Sequence, residues 1–180
     1  MDVGEYIRYY RKVLTPPQCR YIICAENLEW INSTYSNHSG KIDDEERVRM
    51  DECWIGKEHI IYNSIKNGFE EVIKRYSEDF PLFSVQHTTD FRINRYPEGG
   101  FMSSHVDNIH HSHGQQYGYP QVSALLYLND DYEGGEFKVA DKIIYPEAGS
   151  GIIFPSNFMF PHEVKEITQG IRHSFVSWGF

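Results

Sequence analysis

The sequence predicts an α+β protein, helical through its first 80 residues and a β-sandwich or small barrel beyond Pro81. Three observations carry this expectation. Apolar residues recur at helical spacing in two N-terminal segments. After Pro81 the pattern breaks into short apolar runs bounded by turn residues. The composition is 40% hydrophobic and 15% aromatic, with 13 Tyr and 11 Phe, which favours β structure. At 180 residues the chain suits one domain, with a helical support region over residues 1–80 and a β-rich core over 81–180.

Thr15-Pro16-Pro17 reads as a helix start, with Thr as cap and Pro in the first turn. The helix continues over 17–29, where Tyr21, Cys24, Ala25 and Leu28 are helically spaced. NSTYSNHSGKIDDEER, residues 32–47, is polar and reads as a mobile surface loop. A second helix is expected over 57–77, because Ile61, Ile65, Phe69, Val72, Ile73 and Tyr76 form one apolar stripe. Glu70 and Glu71 precede Lys74 and Arg75 by four residues, the favourable order for helix ion pairs. Candidate strands follow at 82–87, 90–96, 101–107, 121–128, 135–139, 142–145, 151–154, 159–166 and 171–178. Helices first and strands later place the helices as buttresses on one sheet.

Charge and cysteine usage narrow the function. A net charge of −9 repels phosphate backbones, which argues against a nucleic-acid partner. Cys19, Cys24 and Cys53 form neither a disulfide framework nor a C-x-x-C pair, so buried free thiols in a reducing compartment are expected. MDVGEYIRYYRK lacks the apolar stretch of a signal peptide, and no run nears 18 apolar residues. The expected setting is cytoplasmic, with no membrane partner.

SSHVDNIH, residues 103–110, contains His105-Val106-Asp107, which could be half of an iron site. Nine His and ten Asp in 180 residues give 9 × 10/180, about 0.5, such pairs by chance. In an extended segment His105 and Asp107 share a face, since side chains alternate with a period of two. A facial site of two histidines and one carboxylate needs one more His. The later candidates are His110, His111, His113, His162 and His173. The first three lie in the polar loop NIHHSHGQQYGYP, whereas His162 lies on an expected strand. A hairpin across Thr168-Gln169-Gly170 would pair Ile167 with Ile171 and put His162 and Arg172 on one face. Their separation would be roughly 13 Å at ~3.3 Å per residue. A small dicarboxylate and an extended Arg side chain would span it, since the guanidinium fork binds a carboxylate bidentately.

This order of residues resembles the 2-oxoglutarate/Fe(II)-dependent dioxygenases, and in particular their prolyl 4-hydroxylase-like branch. YPEGGFMSSHVDN, SALLYLNDDYEGGEF and the closing GSGIIFPS, FPHEV and GIRHSFVSW carry the resemblance, and VLTPPQCRYII resembles the branch's opening helix. It covers nearly the whole chain. The resemblance implies a double-stranded β-helix, a distorted jelly roll with N-terminal buttressing helices. His105, Asp107 and His162 would then ligate Fe(II). Arg172 and Tyr127 would bind the distal carboxylate of the cosubstrate 2-oxoglutarate, and Tyr96 would lie nearer the metal end. Collagen-type relatives carry Lys where this chain has Arg172. Ascorbate is the implied reductant. A loop holding His110, His111, His113, Tyr117 and Tyr119 would close over the substrate as a lid.

The implied activity hydroxylates an unactivated C–H, with release of succinate and CO2. Its expected substrate is a prolyl residue in a peptide or protein. A free amino acid or small metabolite is the alternative substrate. A non-catalytic cupin-type binding module is the alternative of another class, opposed by the intact ligand set and Arg172. Gly149-Ser150-Gly151 lacks the G-x-S-x-G elbow of a serine hydrolase.

Overall fold

The computed structural model describes residues 2–37, 40–42, 46–108 and 118–180. From the N-terminus, a short 3-10 turn precedes β1 (Arg8–Tyr10) and α1 (Pro16–Ile23). Then come β2 (Ile31–Asn32), β3 (Tyr35–Asn37), β4 (Gly40–Ile42), β5 (Val48–Arg49), β6 (Asp51–Ile55) and α2 (Tyr62–Asp79). The second half holds β7 (Phe91–Tyr96), β8 (Phe101–His105), β9 (Val122–Tyr127), β10 (Glu133–Gly134), β11 (Phe137–Val139) and β12 (Lys142–Ile144). It closes with β13 (Gly151–Pro155), β14 (His162–Val164), β15 (Ile167–Gln169) and β16 (Arg172–Gly179).

Two main sheets form the walls of a double-stranded β-helix. The larger runs β1-β13-β9-β16-β7-β6-β2 and the smaller β12-β11-β14-β8-β5, with antiparallel neighbours throughout. Alternation along the central strands divides the core in two. Ala124, Leu126 and Phe175 turn outward to Ile65, Phe69 and Val72 of α2. Leu125, Tyr127, Val176 and Trp178 turn inward to Phe137, Val139 and Val164 of the smaller sheet. With both faces covered, β9 is buried at every position, which explains its unbroken apolar run.

The helices form for reasons the sequence carries. Thr15 caps α1 through a reciprocal capping box with Gln18, and prolines fill the first turn. In α2, Ile65, Phe69, Val72 and Tyr76 bury one stripe, and Phe69 stacks on Phe91 at 5.1 Å between centroids. Truncating a buried aromatic of this kind costs about 3–5 kcal/mol. Among the described residues, no helix is long and apolar enough to cross a membrane.

Several expectations are corrected. Residues 1–80 are not uniformly helical, because β2 and β6 extend the larger sheet and β5 edges the smaller one. α1 stops at Ile23, short of residue 29. α2 begins at Tyr62, since residues 57–61 form turns in which the Tyr62 amide donates to the His59 carbonyl. Within 32–47, β3 and β4 pair as a hairpin, while positions 38–39 and 43–45 lie outside the described residues. The run 82–87 is irregular, and only Thr88 bridges to Gly179. Cys19 and Cys53 are buried but Cys24 is exposed. Glu71 pairs with Arg75 as expected, whereas Glu70 pairs with Lys66 and Lys74 with Glu78.

The expected hairpin pairing Ile167 with Ile171 does not form. β14 pairs with β8 and β11 in the smaller sheet, β15 pairs with β10, and β16 lies in the larger sheet. Burial decides against it: Ile167 is fully buried and Ile171 is 45% exposed, so the two would-be partners sit in different environments. His162 and Arg172 therefore stand on opposite walls.

Candidate metal centre

Pairing of β8 with β14 sets His105 directly opposite His162. Their rings lie 4.2 Å apart. Asp107 follows the end of β8 at a bend and is buried. Its Oδ1 lies 3.5 Å from His105 Nε2 and its Oδ2 3.4 Å from His162 Nε2. One ligand atom from each of the three falls within 4.8 Å of the others.

Each histidine is oriented by the carbonyl two residues before it. His105 Nδ1 meets the Ser103 carbonyl at 2.8 Å, and His162 Nδ1 meets that of Phe160 at 3.2 Å. A carbonyl oxygen accepts only, so Nδ1 carries a proton and Nε2 is the nitrogen turned toward Asp107. Phe154 packs edge-on against the His162 ring at 4.9 Å.

Burial opposes charge on Asp107, yet His162 and His105 outweigh it and hold the carboxyl well below its usual range. Burial likewise opposes charge on His162, but Asp107 pulls its pKa up. His105 is pushed down, by burial and by neighbouring His162. Two imidazole lone pairs and one ionised carboxylate in a buried pocket fit a divalent cation, and the donor set suits Fe(II) with open positions.

The opposite wall holds a second polar group. Arg172 is fully buried on β16, with Tyr96 across from it on β7. Its Cζ lies 5.0 Å from the Tyr96 ring centre and 5.2 Å from that of Tyr127. Nη1 donates to Ser174 Oγ at 3.3 Å, but among the described residues Nε and Nη2 make no hydrogen bond of ordinary geometry. Neither do the buried hydroxyls of Tyr127 and Tyr132. Burial raises the pKa of all three tyrosines, Tyr96, Tyr127 and Tyr132, so each phenol keeps its proton to donate. A buried guanidinium without an anion is costly. Two free guanidinium nitrogens and two phenolic donors fit one carboxylate group.

The structure thus brings His105, Asp107 and His162 together, and gathers Arg172, Tyr127 and Tyr96 on the facing wall. Tyr132 joins the second group and was missed in the sequence, because it lies in a connection without periodicity. The glycines after it gave a faint signal: a Cβ at Gly135 would approach Tyr132 to 3.1 Å and Arg172 to 3.3 Å. Of the lid residues, His110, His111, His113 and Tyr117 lie outside the described residues, and Tyr119 is half exposed.

Residues 91–180 match the model of the 2OG-Fe(II) oxygenase superfamily. The chain belongs to that superfamily. Membership implies Fe(II) and 2-oxoglutarate as the bound groups, which the two polar clusters fit. This member of the superfamily is 38% identical over 92 residues to a PKHD-type hydroxylase of Rippkaea orientalis, a match over 48% of this chain and 40% of that protein. It is 42% identical over 69 residues to prolyl 3-hydroxylase 2 of Homo sapiens, covering 34% of this chain and 10% of that one. The matches thus span less than half the length of these relatives. A prolyl hydroxylase from Trichoplax adhaerens, solved with a hypoxia inducible factor oxygen degradation domain peptide fragment, superposes with a TM-score of 0.72 at 19% identity. That superposition covers 97% of this chain and 83% of the other, and shows the fold.

Proposed function

We propose that the chain is a 2-oxoglutarate- and Fe(II)-dependent dioxygenase that hydroxylates a prolyl residue in a peptide or protein. One observation carries the reading: a His105–Asp107–His162 cluster on one wall faces a buried Arg172 with unused donors on the other. When bound, iron and 2-oxoglutarate supply oxidative decarboxylation to succinate and CO2, coupled to insertion of oxygen into an unactivated C–H. The chain's own residues bind and orient. His105, Asp107 and His162 would hold the metal, two imidazole nitrogens and one carboxylate being a donor set that suits Fe(II). Arg172, with Tyr127 and Tyr132, grips the distal carboxylate, and Tyr96 packs beside it. Walls of Phe137, Phe154 and Trp178 exclude water from the pocket. Ascorbate serves as reductant.

Prolyl residues are favoured by the names of the relatives, and a peptide by the ligand of the Trichoplax adhaerens structure. Residues 1–180 act as one catalytic unit, supported by the core that α1 and α2 share with the larger sheet. Two buried free thiols and one exposed thiol support a reducing, cytoplasmic setting.

The test is incubation of proline-containing peptides with the protein, Fe(II), 2-oxoglutarate and ascorbate. Succinate release and a one-oxygen mass gain on proline are expected, both abolished by His105→Ala, Asp107→Ala or His162→Ala. Oxidation of free amino acids alone would overturn the substrate class. Absence of 2-oxoglutarate turnover by the intact protein would overturn the activity.

A further inference from the structure

Asp107 lies beyond the last residue of β8, where no strand ladder fixes its side chain. Besides the two imidazoles beside it, a hydroxyl from the larger sheet reaches its carboxylate. Ser123 Oγ donates to Asp107 Oδ2 at 2.6 Å, and Ser156 Oγ lies 2.8 Å from Ser123 Oγ. Both serines are fully buried. Ser123 faces inward from β9, opposite Trp178 in register. Ser156 follows β13, its amide bonded to the Gln121 carbonyl and its carbonyl to the Asn108 amide. The pair therefore ties the segment carrying Asp107 to the larger sheet.

Proton counting fixes the direction of the chain. An ionised carboxylate only accepts, and a serine hydroxyl has one hydrogen. Ser123 gives its hydrogen to Asp107, so the Ser156 hydroxyl must donate to Ser123. Successive hydroxyls polarise one another, and 2.6 Å is the length of a charge-assisted O–H···O bond. Outside this chain each buried hydroxyl would be unsatisfied, at about 1–3 kcal/mol apiece.

We propose that Ser123 and Ser156 are positioning residues, a two-hydroxyl clamp that makes Asp107 ligate the metal through a single oxygen. The proposal rests on reading His105, Asp107 and His162 as the metal centre. An oxygen engaged by a short charged hydrogen bond is a poorer metal donor than its neighbour. With Oδ2 engaged, Oδ1 becomes the metal-binding oxygen, and the carboxylate does not occupy a second metal position needed by cosubstrate and dioxygen.

Co(II) is the probe, added to the intact chain and to Ser123→Ala, Ser123→Thr, Ser156→Ala and Asp107→Ala. Affinity is read by calorimetry, coordination by the visible d–d absorption of the bound ion, and folding by thermal melts without metal. Ser123→Ala is expected to bind Co(II) about tenfold more weakly. Its d–d absorption should also shift, as a second carboxylate oxygen displaces a water from the ion. Ser156→Ala should move both readouts the same way by less, and Ser123→Thr, which restores the hydroxyl, should match the parent. Unchanged affinity and spectrum in Ser123→Ala would overturn the clamp while leaving the metal centre standing. If Ser123→Ala melts early without metal, Ser156→Ala and Ser123→Thr decide. Failure of the parent to bind Co(II), or undiminished binding by Asp107→Ala, would overturn the metal centre and the clamp together.

Discussion

Arg172 shows what a single residue can reveal about a missing ligand. A fully buried guanidinium with two unused nitrogens is stable only if an anion completes it. Arg172→Ala should raise the KM for 2-oxoglutarate tenfold or more, since hydrogen bonds to charge are worth about 1.5–3 kcal/mol. Metal affinity should hold. Tyr132→Phe removes one neutral donor, worth about 0.5–1.5 kcal/mol, and should raise the same KM roughly twofold to tenfold. Steady-state kinetics with 2-oxoglutarate varied checks both, and an unchanged KM in either would remove that residue from the carboxylate site. The sequence expected His105 and Asp107 to share a face of one strand, but β8 ends at His105 and a bend carries Asp107 to the two histidines. Tyr132 was not legible. Its approach to Arg172 depends on how the β9–β10 connection folds back, and no local pattern encodes that.

At the scale of elements, legibility followed the range of the interaction. Thr15-Pro16-Pro17 and the stripe from Ile65 to Tyr76 report local preferences, and both helices are present with shifted ends. Segment 159–178 is different. It has the look of a hairpin, with Gly170 at a left-handed turn position, yet β14 joins β8 and β11, β15 joins β10, and β16 joins β7 and β9. Residues 133–139 pair with β14 and β15 in place of β16. Gly134 is the device that permits this. It adopts φ +74°, and a Cβ there would lie 2.3 Å from the Glu166 carbonyl oxygen. Gly134→Ala should break the β10–β15 pairing and destabilise the fold by about 1–3 kcal/mol. Chemical denaturation measures this, and a change under about 0.5 kcal/mol would show that the backbone yields at no cost. The two-residue edge strands β2 and β5 escaped reading because they carry too few residues to display a period.

Across the whole molecule, the two polar clusters sit on opposite walls, His105 and His162 on the smaller sheet and Arg172 on the larger. A metal joined to 2-oxoglutarate would therefore link the sheets through their shared core. Each ligand that binds only the folded state adds RT ln(1 + [L]/Kd), about 2.7 kcal/mol at a hundredfold excess over Kd. For a chain of this size one kcal/mol moves Tm by about 2–4 °C. Thermal melts with Mn(II) in place of Fe(II) should rise by about 5–10 °C, and by a similar further step when 2-oxoglutarate is added. The two steps should separate by wall. Arg172→Ala should keep the metal step and lose the 2-oxoglutarate step, whereas His162→Ala should lose both, because the cosubstrate needs the metal to bridge. If His162→Ala kept a full 2-oxoglutarate step, the cosubstrate would be held by the larger sheet alone, and linkage between the walls would be excluded.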